Sequence, residues 1–424
     1  MKNLSINDKK IEDVFPKPIY KKNKQKKIVN EKIITDEYNQ YQNDYVDRIY
    51  SRYLQILNKP LSGYTIVGEI DEIKKEGSKL NTTLESIKLK SAIDLGITGK
   101  DVVVAVIDSG IIYNHPDIDK ERIILYKDFS NESTQDKPKD ILGHGTYVTS
   151  IIGGTGKASD GYNQGVATGV KFVILRITSV AEVIKALEWI KENGKKYNIK
   201  VVNMSLGIDP DPIKSWTEDI IAKLSNDLSK EFTVVAAAGN DQTYETIDSP
   251  GIAPDVITVG GSDTKNTPNI DDDDIYIGSS KGPTPTPEKL DKPDVIAPSK
   301  KIIGARVPNS IFDPYLTKEK KDINITKTEV LEEKTNSNPW IKGYYIESSG
   351  TSAGTALVSG LAALLYEILP NATPEIIKKI ITQTATKLKD KNGQEFDKYS
   401  QGNGLINVEK AIKLAMEIKN QNIA

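Results

Sequence analysis

The 424-residue sequence predicts an α/β fold, a mainly parallel central sheet flanked by helices in three layers, and two observations carry this. The first is a series of β-branched or small-residue runs bounded by turn residues: Val102–Ile107, Lys171–Arg176, Val201–Leu206, Thr233–Ala238 and Val256–Val259. The second is the helical periodicity between them, at 181–193 and about 215–230. A longer apolar helix follows Ser352 through Leu357, Val358, Leu361, Leu364 and Leu365. Strands that alternate with amphipathic helices pair in parallel, because each helix carries the chain back to the start of the next strand.

Residues 1–82 differ from the rest and read as a basic, partly helical N-terminal extension. Lys17, Lys21, Lys22, Lys24, Lys26 and Lys27 crowd a stretch that holds Pro16 and Pro18, the composition of an extended, solvated arm. Docking of that arm onto an acidic surface is the alternative. From Thr35 to Leu57 the residues Tyr38, Tyr41, Tyr45, Ile49, Tyr53 and Ile56 recur at steps of three and four, a helical packing face. Thr35 or Asp36 caps its start and Lys59-Pro60 stops it. A short strand, Tyr64–Ile70, and a polar segment, Asp71–Thr83, lead into the main domain at 83–424. That domain carries a charged insertion at about 304–343, with Trp340 in it.

Composition narrows the function. Net charge is -2 with 27% charged residues, which gives no reason to expect a nucleic-acid or membrane partner. There is no cysteine, so disulfides, thiolate metal sites and a cysteine nucleophile are excluded. The N-terminus lacks the apolar core of a signal peptide, and runs such as Val102–Ile107 fall far short of the ~18–20 apolar residues of a membrane span. The expectation is a cytoplasmic protein, or one secreted by a route not visible in the sequence. Gly153-Gly154-Thr155-Gly156-Lys157 resembles the end of a phosphate loop, but Ile151 and Ala158 stand where that loop needs glycine and Ser/Thr, so nucleotide binding is rejected.

Three segments carry chemistry: Asp108 in VVVAVIDSG, His144 in LGHGTYV and Ser352 in SSGTSAG. A serine hydroxyl attacks a carbonyl only when an imidazole takes its proton and a carboxylate holds that imidazole in the right tautomer. The chain has two histidines, so the candidates for the base are few. Asp108 ends the first strand, at the carboxyl edge of a parallel sheet where α/β sites form. His144 lies between Gly143 and Gly145, small neighbours that let a substrate backbone approach. Ser352 opens the apolar helix, near its positive dipole end. Taken singly, Asp108 also suits a turn and Ser352 an N-cap; the combination favours a catalytic set.

With these segments and VVNMSLG (201–207), VVAAAGN (234–240), SSKGPT (279–284), KPDVIAP (292–298) and QGNGLINVEKAI (401–412), the chain resembles the subtilisin-like (subtilase) serine endopeptidases from about Ile87 onwards. The order Asp, His, Ser is theirs. The resemblance implies a subtilisin-like fold and peptide-bond hydrolysis through an acyl-enzyme. Ser352 is then nucleophile, His144 base, Asp108 orienter and Asn240 the side-chain donor to the oxyanion. His115, in Asn114-His115-Pro116-Asp117, takes a structural place. Ser205-Leu206-Gly207 and Ala237-Ala238-Gly239 match the strands that flank the pocket for the residue before the scissile bond (P1).

Aligning DSPG with the pocket floor puts Asp248 at its base, which implies cleavage after Lys or Arg; the alternative is that Asp248 faces solvent. A basic P1 makes Lys74-Lys75 or Lys79 candidate self-cleavage points, with the extension as the enzyme's own inhibitor or else a permanent regulatory segment. The role expected is a processing protease acting on polypeptides.

The resemblance implies no cofactor for the chemistry, with structural calcium as an option. Asp117 aligns with a calcium ligand, and Asp271–Asp274 is either a cation loop or a solvated one. Departures from the family pattern are Tyr147 for the usual second histidine, Ala353-Gly354-Thr355-Ala356 after the nucleophile, and the short segment Ile177–Val183. The alternative function is a catalytically inactive, peptide-binding subtilisin-like scaffold.

Overall fold

In the computed structural model, residues 80–130, 137–313 and 343–421 are described, with the backbone of short strands at 5–6, 9–10 and 65–66. The helix expected at 35–57, the basic arm and Trp340 lie outside the described residues. In chain order the strands are β1 (Ser5–Ile6), β2 (Lys9–Lys10), β3 (Thr65–Ile66), β4 (Val103–Asp108), β5 (Ile123–Asp128), β6 (Lys171–Arg176), β7 (Ile199–Met204), β8 (Thr233–Ala237), β9 (Ile257–Asp263), β10 (Asp274–Ile275), β11 (Val295–Pro298), β12 (Ile302–Ala305) and β13 (Tyr345–Ser348). The helices are α1 (Thr82–Ser86), α2 (Lys90–Asp94), α3 (His144–Gly153), α4 (Val180–Asn193), α5 (Ile220–Leu228), α6 (Thr351–Ile368), α7 (Pro374–Thr384), α8 (Lys398–Gln401) and α9 (Val408–Gln421).

Eight strands form one sheet in the order β10-β9-β8-β7-β4-β6-β5, with β11 also paired to β9. All pairings are parallel except β10 with β9. From β4 the chain goes outward to β5, returns through β6, then crosses β4 to build β7, β8 and β9. That reversal makes the carboxyl end of β4 a topological switch point, the crevice where α/β folds place ligands. Asp108 is its last residue.

Alternation along β4 divides the core. Val104 and Val106 join a cluster with α3, α6, α7 and α9, while Val103, Ala105 and Ile107 join the opposite cluster with α4 and α5. Sheet residues buried on both faces are why these strands read as continuous apolar runs. Helix α6 crosses this first layer, and nearly all of its 18 residues are buried. Leu80, Leu84, Ile87 and Leu89 pack into the same cluster.

A second sheet of three strands, β12-β13-β3, is antiparallel throughout. Strand β12 contains Gly304 and Ala305, so the charged stretch expected from about 304 begins after this strand. Thr65 and Ile66 of the extension pair with Glu347 and Ile346.

On the sheet margin, Asp273 is 3% exposed, and among the described residues neither of its carboxylate oxygens has a hydrogen-bond donor. Burial, and then Asp272 and Asp263, push its carboxyl up to about 7. The group therefore stays protonated in the fold at pH values where the unfolded chain, with a carboxyl near 3.8, has lost the proton. Stability falls as pH rises from about 4 to 7 and levels off above. Asp273→Asn is expected to remove this dependence and to add on the order of 2–4 kcal/mol at pH 8 and little at pH 4. Denaturant melts at the two pH values measure it, and an equal effect at both contradicts it.

Candidate active site

The site forms where three elements meet: the end of β4, the start of α3 and the start of α6. His144 Nδ1 lies 2.8 Å from Asp108 Oδ1 and 3.0 Å from Oδ2. Asp108 is buried, and its Oδ1 also accepts the Ser109 N–H at 2.7 Å. A carboxylate accepts, so Nδ1 carries the proton and Nε2 keeps its lone pair, the tautomer a base needs. Burial works against charging this imidazole, but Asp108, by charge and hydrogen bond, and Asp140 behind it outweigh burial and raise its pKa above the ordinary value.

Asp140 is a residue the sequence reading missed. Its Oδ1 accepts from the Ser109 hydroxyl and the Gly143 N–H, both at 2.8 Å. Its Oδ2 accepts from the Thr146 N–H at 2.8 Å and the Thr146 hydroxyl at 2.7 Å. One buried carboxylate thus fixes the turn after β4 and the first turn of α3 together, and with them His144. The signal available was a carboxylate four residues before the histidine. Gly143 has φ +89°, and a side chain there would collide with Ser310, so only glycine suits the entry to α3.

Ser352 Oγ donates to the Ser205 carbonyl at 3.0 Å rather than to His144. The Ser205 hydroxyl donates in return to the Ser352 carbonyl at 2.8 Å. Behind this pair, Ser359 donates to Asn203 Oδ1 at 2.8 Å, and Asn203 Nδ2 donates to Ser205 Oγ at 3.1 Å. The nucleophile candidate is therefore stitched to the strand segment that leaves β7.

Asn240 Oδ1 accepts the Thr351 N–H at 3.0 Å, which assigns its amide nitrogen to the outer side. A methyl group built on Gly350 would stand 3.7 and 3.8 Å from Asn240 Oδ1 and Nδ2 and 4.0 Å from the Ser352 nitrogen, so the Asn240 amide and the Ser352 N–H both lie close to Gly350. Two such donors fit the oxygen of a tetrahedral intermediate. Asn240→Ala is expected to lower kcat by about 10²–10³ with KM nearly unchanged, read from initial rates on a peptide substrate. A loss confined to KM contradicts the oxyanion role.

Ser205, Leu206 and Gly207 follow the end of β7, and Ala238 and Gly239 follow Ala237 at the end of the adjacent β8. The segment at 248–249 bridges them. Asp248 N–H donates to the Ala238 carbonyl at 2.9 Å, and Ser249 exchanges backbone bonds with Ile208 at 2.8 and 3.0 Å. Asp248 is 3% exposed. A Cβ added to Gly239 would stand 2.6 Å from its Oδ2, and one on Gly207 would collide with the same oxygen. The carboxylate sits between these two glycines, and the solvent-facing alternative is corrected by its burial. Asp209 and Asp241 join it, one oxygen from each of the three lying within 4.8 Å of the others.

Other candidates fall elsewhere. His115 is buried with Nδ1 accepting the Asp117 N–H and Nε2 donating to the Tyr344 carbonyl, and burial lowers its pKa, as a structural neutral imidazole requires. Asp117 is fully buried, with Oδ1 accepting from Ala158 N–H at 2.8 Å and Oδ2 from the Tyr345 hydroxyl at 2.6 Å. These donors suit a hydrogen-bonded carboxylate and not a calcium ion with six to eight oxygen ligands, which corrects the calcium expectation there. The 271–274 carboxylates turn different ways: Asp272 takes the Thr267 hydroxyl, Asp274 faces Lys265 and Asp273 is inside. Among the described residues they do not converge, which corrects the cation-loop alternative. Tyr147 donates to the Ile302 carbonyl and buttresses β12.

A buried carboxylate, an imidazole in the basic tautomer and a serine at a helix start, gathered near the crevice of a parallel sheet, are the residue types a serine hydrolase uses. The subtilase family profile matches residues 99–404. The serine protease AprX of Bacillus subtilis is 31% identical over 372 residues, 83% of this chain and 77% of that one. The mouse membrane-bound transcription factor site-1 protease is 28% identical over 77% of this chain and 26% of its own length. Bacillopeptidase F of B. subtilis is 26% identical over 78% of this chain and 22% of its own. This chain belongs to the subtilase family and is a subtilisin-like serine protease.

Proposed function

We propose that the protein is an endopeptidase that cleaves after lysine or arginine, with Asp108, His144, Ser352 and Asn240 as its catalytic machinery. The observation that carries the specificity is Asp248, buried between Gly207 and Gly239 with Asp209 and Asp241 nearby. A cationic P1 side chain would meet a charge of opposite sign in the buried carboxylate, which is the kind of partner a guanidinium or ammonium needs once out of water.

In the reaction, an extended substrate lies against Ser205–Gly207 and Ala237–Gly239. Its P1 N–H competes for the Ser205 carbonyl, and the Ser352 hydroxyl turns to His144 Nε2. The imidazole takes the proton as Ser352 Oγ attacks, with Asp108 balancing the imidazolium. Asn240 Nδ2 and the Ser352 N–H hold the oxyanion. His144 then protonates the leaving amine, and water entering by the same route releases the acyl group. A processing role, with the extension as inhibitor and Lys74-Lys75 or Lys79 as self-cleavage points, follows from the same preference.

Paired fluorogenic peptides that differ only at P1 test the reading: Arg is expected to exceed Phe by at least 100-fold in kcat/KM, and equal turnover rejects it. A divalent cation on the same three carboxylates is the competing occupant, and it would make the Arg preference appear only with EDTA.

A further inference from the structure

We infer that Phe312, on the segment that follows β12, is a positioning residue for the His144 imidazole. The inference rests on the proposed triad. The ring centroids of Phe312 and His144 are 5.7 Å apart with planes inclined at 43°. On the α3 side, Tyr147 lies 6.4 Å from the same imidazole at 38°. Asp108 tethers only one atom of the imidazole, Nδ1, and a single tether is a pivot. His144 must nevertheless present Nε2 first to Ser352 and then to the leaving nitrogen, so its swing has to be bounded. Two aromatic neighbours from separate elements bound it.

The segment that carries Phe312 is built to hold it. Backbone N–H groups of Ile311 and Phe312 donate to the carbonyls of Ile141 and Leu142 at 3.0 Å, directly ahead of the histidine. Arg306 grips Asp313 through both carboxylate oxygens, at 3.1 and 2.8 Å, and both residues are buried. Asp313 also accepts the Asn309 N–H at 2.7 Å, and Arg306 donates to the Gly343 carbonyl at 2.9 Å. One guanidinium thus fixes Asp313 and Gly343 to each other and locks the turn that puts Phe312 on the imidazole. A bidentate, buried pair is a rigid fastening, beyond what an incidental loop contact needs. The imidazole is 21% exposed, and Phe312, itself half-buried, covers part of it.

Losing the ring widens the swing and wets the imidazole. Misplacement of this kind costs roughly 10- to 100-fold in kcat, while substrate binding, which uses Ser205–Gly207 and Ala237–Gly239, stays within about twofold in KM. Water at the imidazole also relieves the burial that disfavours its charged form, so the acid limb of kcat/KM moves to higher pH. The charged groups on the other sides, Asp108 on β4 and Asp140 before α3, remain, and Asp313 stays paired with Arg306.

The test compares wild type, Phe312→Ala and Phe312→Tyr by steady-state kinetics from pH 5 to 9, melting temperature, and fluorophosphonate labelling. Support is the kcat loss and shifted limb in the alanine variant at unchanged melting temperature, both restored by tyrosine. Should the alanine variant unfold, Phe312→Leu is read by the same criteria. Wild-type kcat and acid limb in a folded Phe312→Ala, or a loss confined to KM, overturns the inference alone. Absence of Ser352 labelling both in the full-length protein and in one trimmed to begin near Thr82 overturns the triad reading and this inference with it.

Discussion

Ser352→Ala is expected to lose about 10⁶-fold in kcat, the size of effect that deleting the nucleophile has in a subtilisin. Alanine leaves the helix start, the Thr351–Asn240 bond and the segments after β7 and β8 in place, so the fold and substrate affinity are retained. A residual rate of ~10³–10⁴ over water persists, because paired donors still polarise the bound carbonyl. His144→Ala is expected to fall as far, and the double variant no further, because the two groups act in one step. Additive losses in the double variant, or a Ser352→Ala protein with more than about 1% of wild-type activity, contradict the assignment. Initial rates on one peptide substrate decide it.

Asp248→Asn is expected to lower kcat/KM for an Arg-P1 peptide by about 10²–10³ and to leave a Phe-P1 peptide within a few-fold. The magnitude follows from stranding a desolvated guanidinium that had a charged partner, which costs about 2–5 kcal/mol. Asparagine keeps the shape and removes the charge, so the pocket stays open to apolar side chains. The selectivity ratio between the two peptides is the quantity to measure. A ratio that stays at its wild-type value shows that Asp248 does not meet the P1 side chain.

The central strands were legible because burial on both faces writes them as unbroken apolar runs; Lys171–Arg176 agrees to the residue. Strand β5 was missed because its apolar run, Ile123 to Tyr126, is only four residues long and sits between the charged Lys120–Arg122 and Lys127-Asp128, as suits an edge strand that pairs only with β6. Strands β12 and β13 were missed for another reason. Each has four residues, and they find each other across an intervening charged segment, a pairing no local window contains. Of the site, Asp108, His144, Ser352 and Asn240 stood out since small residues surround each of them in sequence. Asp140 and Phe312 did not. Their work lies in what they touch after folding, the turns around Gly143 and the face of the imidazole; Phe312 leaves no pattern in the chain, and Asp140 only its place four residues before His144.

Labelling the full-length protein with a fluorophosphonate probe, followed by peptide mapping, reports whether Ser352 is an activated nucleophile. One modified residue, Ser352, is expected, with labelling lost in Ser352→Ala and strongly slowed in His144→Ala. Labelling confined to a protein trimmed to begin near Thr82 adds that the extension blocks the site. No labelling at Ser352 in either form would contradict the account and leave a peptide-binding scaffold in its place.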